Sequence, residues 1–414
     1  MTHPKRFSRR QFLKTSSLLG TAAFLQACQL FGRGSAPPVS QVSTSIPTAT
    51  NTPSATTTAS ATTMPSATAP SEVATATVAP TATVAQPVSP IFPTPTPTST
   101  PYPPGPPSKL GLFLTRFHPQ VIEIIKQGKP PLIKTLELDP NFGKGIKELA
   151  PNTILVGRLF QEQQLNLDAD PLPLARQFVA DILPIATEPT RMAYFDAWEG
   201  PNEPVADTVE KMKRLADFEA ERTRLLGERG IRSVIGNFAT GHPDLPLWPH
   251  FEPALAAARQ YNGYLGIHEY SAPVMQYLSG GLQPNGGDEG DEGWLTLRYR
   301  KAHRQFLQPM GYGDLPILIT ECGVDGLVAN RPGPPDAKGW QDFVGTWLDN
   351  GLRNDPPGVY MDQLIWYDEE LRKDDYIKGA TIFLAGASPG WETYDILGRT
   401  GDLLQQYLEA HPQP

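Results

Sequence analysis

Two glutamates stand where apolar runs give way to polar loops. Glu203 lies in Trp198-Glu199-Gly200-Pro201-Asn202-Glu203-Pro204, at the end of the apolar run 192–198. Glu321 lies in Ile319-Thr320-Glu321-Cys322-Gly323, after the run 315–319. Two carboxylates at the ends of buried strands suit cleavage of a glycosidic bond. One, kept protonated, gives its proton to the leaving oxygen while the other attacks the anomeric carbon. At a separation of ~5–5.5 Å no water fits between them, and the route is covalent and retaining. In that scheme Glu203 is the acid/base, its proton held by partial burial and by the second carboxylate, and Glu321 is the ionised nucleophile. Glu199 shares the first loop and is the alternative acid.

Strand ends of this kind need a frame. From residue 108 onward, short apolar runs alternate with helical patterns. Strands are expected at 110–114, 131–136, 153–157, 192–198, 232–237, 264–268, 315–320 and 377–383. Helices are expected at 119–127, 174–185, 207–228, 251–260, 295–307, 339–352 and 360–372. The longest puts Val209, Met212, Leu215, Phe218, Leu225 and Leu226 on one side. Eight βα repeats in one α/β domain predict a (β/α)8 TIM barrel over 108–414. Glu203 then closes strand four and Glu321 strand seven, both at the carboxyl-end face. The segments 280–293 and 324–338 are expected on that face too, with Asp288-Glu289-Gly290-Asp291-Glu292 as a solvated acidic lid. That run lacks the ligand alternation of a calcium loop.

The sequence holds no Gly-x-Gly-x-x-Gly turn after the first strand and no Gly-x-Ser-x-Gly elbow. No cofactor motif and no His/Cys/Asp cluster with metal spacing is found, so neither a cofactor nor a metal is expected. Cys322 reads as a small buried residue, and Trp248, Trp294 and Trp366 as packing residues. His242 reads either as a loop residue or as one that reaches the pocket from strand five.

At these positions the sequence resembles the clan A glycoside hydrolases, retaining enzymes built on a (β/α)8 barrel. Asn202-Glu203 is similar to their strand-four motif, in which Asn-Glu carries the acid/base. Thr320-Glu321-Cys322-Gly323 is similar to their nucleophile motif on strand seven, and His268-Glu269-Tyr270 to the His-x-Tyr of strand six. Trp391 falls just after strand eight, where that family places a tryptophan under the sugar. The resemblance implies that Asn202 bonds the sugar 2-hydroxyl, that Tyr270 holds the Glu321 carboxylate and that His268 lines the same floor. It also implies an arginine near the nucleophile, usually on strand two. Strand two here ends Thr135-Leu136-Glu137, which leaves Arg158 after strand three and Arg116 after strand one. The implied activity is hydrolysis of a β-glycosidic bond in an extracellular oligo- or polysaccharide. The alternatives are a non-catalytic glycan-binding surface lipoprotein and a cell-wall transglycosylase with the same catalytic residues.

The chain ahead of this domain is of another kind. Ser8-Arg9-Arg10-Gln11-Phe12-Leu13-Lys14 resembles a twin-arginine export signal, and an apolar stretch too short to span a bilayer follows it. Leu25-Gln26-Ala27-Cys28 resembles a lipobox, so residues 1–28 are expected to direct export, with Cys28 lipidated. An ordinary secretory signal with an incidental Cys28 is the alternative. Residues 29–107 are rich in Pro, Thr, Ser and Ala and almost uncharged. They are expected to form a disordered linker reaching on the order of 150–200 Å in polyproline II form. The protein is then a monomer, lipid-anchored on the cell surface or facing the periplasm, that touches the membrane through lipid alone. A net charge of -8 and the lack of a Lys/Arg cluster in the domain speak against nucleic acid as a partner. Only two cysteines are present, so lipidation of Cys28 leaves Cys322 without a disulfide partner.

Overall fold

The computed structural model describes residues 91–93, 101–161 and 163–414. The signal read at 1–28, with Cys28, and most of the stretch read as linker lie outside the described residues. Eight parallel strands close into a barrel in sequence order: β1 (Leu110–Leu114), β2 (Leu132–Thr135), β3 (Ile154–Gly157), β4 (Ala197–Glu199), β5 (Ser233–Phe238), β6 (Tyr264–Ser271), β7 (Ile317–Val324) and β8 (Ile377–Ala385). Pairing of β8 with β1 completes the ring. The helices are α1 (Pro119–Gly128), α2 (Pro140–Leu149), α3 (Pro171–Ala186), α4 (Pro189–Tyr194), α5 (Val209–Gly227), α6 (Glu252–Gln260), α7 (Arg298–Ala302), α8 (Val344–Asp349), α9 (Pro356–Leu371) and α10 (Arg399–Ala410). The (β/α)8 barrel expected from the alternation is the fold present.

Both faces of each strand are covered, which is why the strands read as near-continuous apolar runs. Leu132, Val156, Ala197, Val234, Tyr264 and Leu318 fill the barrel interior. Residues of opposite parity, such as Ile133, Leu155, Ile235, Leu265 and Ile317, cluster with the helix faces. Helix starts follow local chemistry. Asp139 and Asp170 accept backbone N–H groups ahead of Pro140 and Pro171, and Thr208 caps α5.

Strand four differs from its expected extent. Residues 192–194 belong to α4, which begins at Pro189 under a Glu188 cap, and β4 is only three residues long. A local capping signal outweighs the β-like composition of that run. Glu203 therefore lies four residues beyond the strand, in the loop, rather than closing it.

The acidic run is held by cations. Glu289 and Glu292 pair with Lys301 at 2.6 and 3.2 Å, and Asp291 and Glu292 with Arg304 at 2.7 and 3.0 Å. Arg300, on the same helix as Lys301, reaches Asp374 at 2.7 Å and Glu370 at 2.8 Å, just ahead of the amino end of β8. The segment is thus tied to the cations of and just after α7. Nor do all residues before 108 stand apart from the barrel: Tyr102 is buried edge-on against Tyr407, and the Gly105 N–H donates to the Ala410 carbonyl.

Candidate active site

A shift in strand register aims the second glutamate inward. Ile317 and Ile319 of β7 face the helices and Leu318 faces the interior. The pairing with β6 then passes from Ile267–Ile319 to His268–Glu321, so Thr320 is an extra residue. Regular alternation would turn Glu321 toward the helix layer; the bulge returns it to the barrel interior and Cys322 to the outside. Burial pushes the Cys322 thiol well up, with the Glu269 and Glu321 charges adding to the effect. It packs as a small protonated core residue, in accord with its sequence reading.

Three elements converge on the Glu321 carboxylate, which is almost fully buried. Tyr270 of β6 donates its hydroxyl to Oε2 at 2.8 Å. Lys134 of β2 donates to Oε1 at 3.0 Å, and an Arg158 N–H reaches the same oxygen at 3.5 Å. Phe113, Tyr270, Phe383, Leu384, Ala387 and Tyr394 form an apolar wall beside it, with Leu136, Val328 and Trp391 packed on that wall. The Trp391 ring lies 5.3 Å from that of Phe383 and 5.4 Å from that of Tyr394.

Glu203 approaches from the opposite side. Its φ of 46° is left-handed, a region a glutamate rarely adopts. Its N–H donates to the Asn237 carbonyl at 3.0 Å, which ties the loop after β4 to β5. His268 Nδ1 stands 2.9 Å from Glu203 Oε1 and 3.5 Å from Glu321 Oε2, bridging the two carboxylates. One ligand atom from each of Glu203, His268 and Glu321 lies within 4.8 Å of the others. The two carboxylates thus approach each other closely at one end of the barrel.

The same three side chains are the one group among the described residues able to hold a metal ion. Sequence spacing gave no sign of it, because 65 residues separate Glu203 from His268. The Lys134 ammonium competes with any cation for Glu321, and the arrangement fits proton transfer without a metal.

Of the other expected site residues, Asn202 precedes Glu203 in the same loop, and its Oδ1 is buried without a hydrogen-bond partner among the described groups. Arg158 is 11 % exposed and makes its one ion pair among the described residues with Glu321, at 3.5 Å. Arg116 is exposed and lies over Gly386 at the end of β8, and among the described residues it makes no ion pair with Glu321. The nearest cation to Glu321 among the described residues is Lys134 instead. The signal for Lys134 was present: a lone charge inside the apolar strand Leu132-Ile133-Lys134-Thr135 has nowhere to point but the barrel interior. Glu199, the alternative acid, is fully buried on β4 with Oε2 2.9 Å from Lys134 Nζ, and so has no route to a leaving group. His242 is exposed in the loop after β5. Trp248 is core, while Trp294 stays part-exposed on the outer wall, its ring N–H donating to Glu289.

No family model matches this chain. No curated protein matches it either. Solved structures that are similar include a GH2 β-galacturonidase from Eisenbergiella tayi, at 13% identity and TM-score 0.45, covering 75% of this chain and 52% of that one. A GH128 endo-β-1,3-glucanase from Pseudomonas viridiflava matches at 13% identity and TM-score 0.38, over 74% of this chain and 98% of its own. The β-glucuronidase of Ruminococcus gnavus matches at 12% identity and TM-score 0.42, over 73% and 50%. This chain spans about half the length of the galacturonidase and the glucuronidase. All three are glycoside hydrolases, but likeness at this level bears on the barrel alone, so chemistry has to be argued from the side chains.

Proposed function

We propose that the barrel hydrolyses a β-glycosidic bond by double displacement with retention of configuration. The observation that carries this reading is the approach of Glu203 and Glu321 to within 4.8 Å, with His268 between them. Glu321 attacks the anomeric carbon, and the bond from that carbon to the leaving oxygen breaks as Glu203 delivers its proton to that oxygen. A water then enters and gives its proton to Glu203, and its oxygen displaces Glu321 from the sugar. Lys134 and Tyr270 keep Glu321 ionised and fixed in direction, which is the preorganisation such a step requires. Asn202 and Arg158 offer hydrogen-bonding groups to sugar hydroxyls, and the wall holding Trp391 offers an apolar face to the ring C–H bonds. We propose an extracytoplasmic substrate as well; the resemblance of residues 8–14 to an export signal and of 25–28 to a lipobox supports this.

The test is a screen of the purified full chain on aryl β-glycosides and on β-glucans, mannans and xylans, beside Glu321→Gln. Turnover by wild type, with a loss of about a thousandfold or more in the variant and the β-anomer as first product, supports the reading. Saturable polysaccharide binding by both forms without product would instead assign a glycan-binding role. Longer oligosaccharides formed at high acceptor concentration would assign transglycosylation.

A further inference from the structure

Lys134 is buried at the centre of the barrel with a carboxylate on each side. Its Nζ lies 2.9 Å from Glu199 Oε2 and 3.0 Å from Glu321 Oε1, and 4.6 Å from the centre of the Phe113 ring. Glu199 is as deeply buried as Lys134 and meets no substrate. Two acids around one cation in a dry interior is a costly arrangement for stability alone, since an apolar trio of the same volume is often no worse. Its cost makes sense if the shared cation does chemistry.

Resting on the glycosidase reading above, we propose that Glu199 sets the reactivity of the nucleophile through Lys134. Lys134 keeps Glu321 ionised before substrate arrives. Glu199 takes part of that ammonium's field for itself, so Glu321 is held as an anion without being locked into an ion pair too tight to attack. Glu199 is thus a positioning residue, and Lys134 the group in contact with the reacting carboxylate. Other groups facing Glu321 among the described residues include Arg158 from beyond β3, Glu203 from beyond β4, His268 and Tyr270 from β6, and the neighbouring Cys322 thiol. Arg158 is no substitute for Lys134: it stands 3.5 Å away at the same oxygen, beyond the 3.0 Å of the Lys134 contact, and is less buried.

The two halves of this device pull in opposite directions, and that separates it from a merely structural role. The measurement is the pH profile of kcat/KM on an aryl β-glycoside with the full chain, for wild type, Lys134→Met, Lys134→Arg and Glu199→Gln. Losing the cation should move the acid limb of Lys134→Met up by about one to three pH units, and Lys134→Arg should bring it back toward wild type. Losing the competing carboxylate should move the acid limb of Glu199→Gln down, with a lower kcat from a more tightly held nucleophile. Limbs that stay in place, or move the same way in both variants, overturn the proposal while leaving the glycosidase reading intact. Lack of turnover by wild type overturns both. If Lys134→Met does not fold, the direction of the Glu199→Gln limb decides alone.

Discussion

Glu203 and Asn237 share a backbone conformation and a hydrogen bond: both have φ of 46°, and the N–H of the first donates to the carbonyl of the second at 3.0 Å. Asparagine enters the left-handed region readily, whereas a glutamate there costs about 1–2 kcal/mol. Substitutions at 203 should therefore divide by backbone freedom as well as by charge. Glu203→Gly and Glu203→Ala should both lose most activity, yet the glycine form should be the more stable by about 1 kcal/mol. Denaturant unfolding of the pair measures this. Equal stabilities would mean that the left-handed turn carries no strain.

Glu269 predicts how stability depends on pH. It lies between His268 and Tyr270 but points outward, and accepts from the Leu297 and Tyr299 N–H groups at 2.8 Å and from the Tyr367 hydroxyl at 2.7 Å. Burial raises its pKa from 4.5 to about 7 despite these donors. Between those values the folded form binds more protons than the unfolded, so stability falls as pH rises from about 4.5 to about 7 and then levels off. The change amounts to about 3 kcal/mol at most. Melting temperatures across that window should decline in wild type and flatten in Glu269→Gln, which is uncharged throughout; an equal decline in both would assign it to other groups.

Arg158 makes one long contact with Glu321 and is 11 % exposed. Replacing it by glutamine should lower kcat/KM by about 10- to 100-fold while shifting the melting temperature little. A large loss of stability with unchanged kinetics would make it a structural arginine instead.

The Glu203–His268–Glu321 cluster invites a metal test. Zinc should inhibit by occupying groups the reaction needs free, and EDTA should leave turnover unchanged. Activity lost to EDTA and restored by a divalent ion would point to metal-assisted hydrolysis and displace the acid/base scheme.

The barrel and the two glutamates were legible because apolar runs ending in polar loops survive any error of a few residues in strand length. Four things were not. The bulge at Thr320 leaves no local mark, since parity is set by pairing with β6. The residues at 192–194 look β-like, but Pro189 and the Glu188 cap make them helical. The acidic run at 288–292 looks solvated by itself, but Lys301 and Arg304, 9 and 12 residues beyond Glu292, pair with Glu289, Asp291 and Glu292. Strand two ends without an arginine, and the cation beside Glu321 is instead a lysine inside that strand, where the barrel interior admits its length.

The charged interior also bears on the order in which the chain comes together. Lys134 and Glu199 both lie in the first four strands, whereas Glu321 is 187 residues from Lys134, in the last two. As synthesis proceeds from the amino end, the early half emerges with its lysine already matched to a carboxylate. The later half carries Glu321 beside a tyrosine hydroxyl and a histidine ring of its own strands, with no lysine or arginine from them paired to it among the described residues. Its carboxylate finds a cation only by docking onto a partner that is already charged and waiting, so correct closure is rewarded at one central point and a half-barrel joined in the wrong register forgoes it.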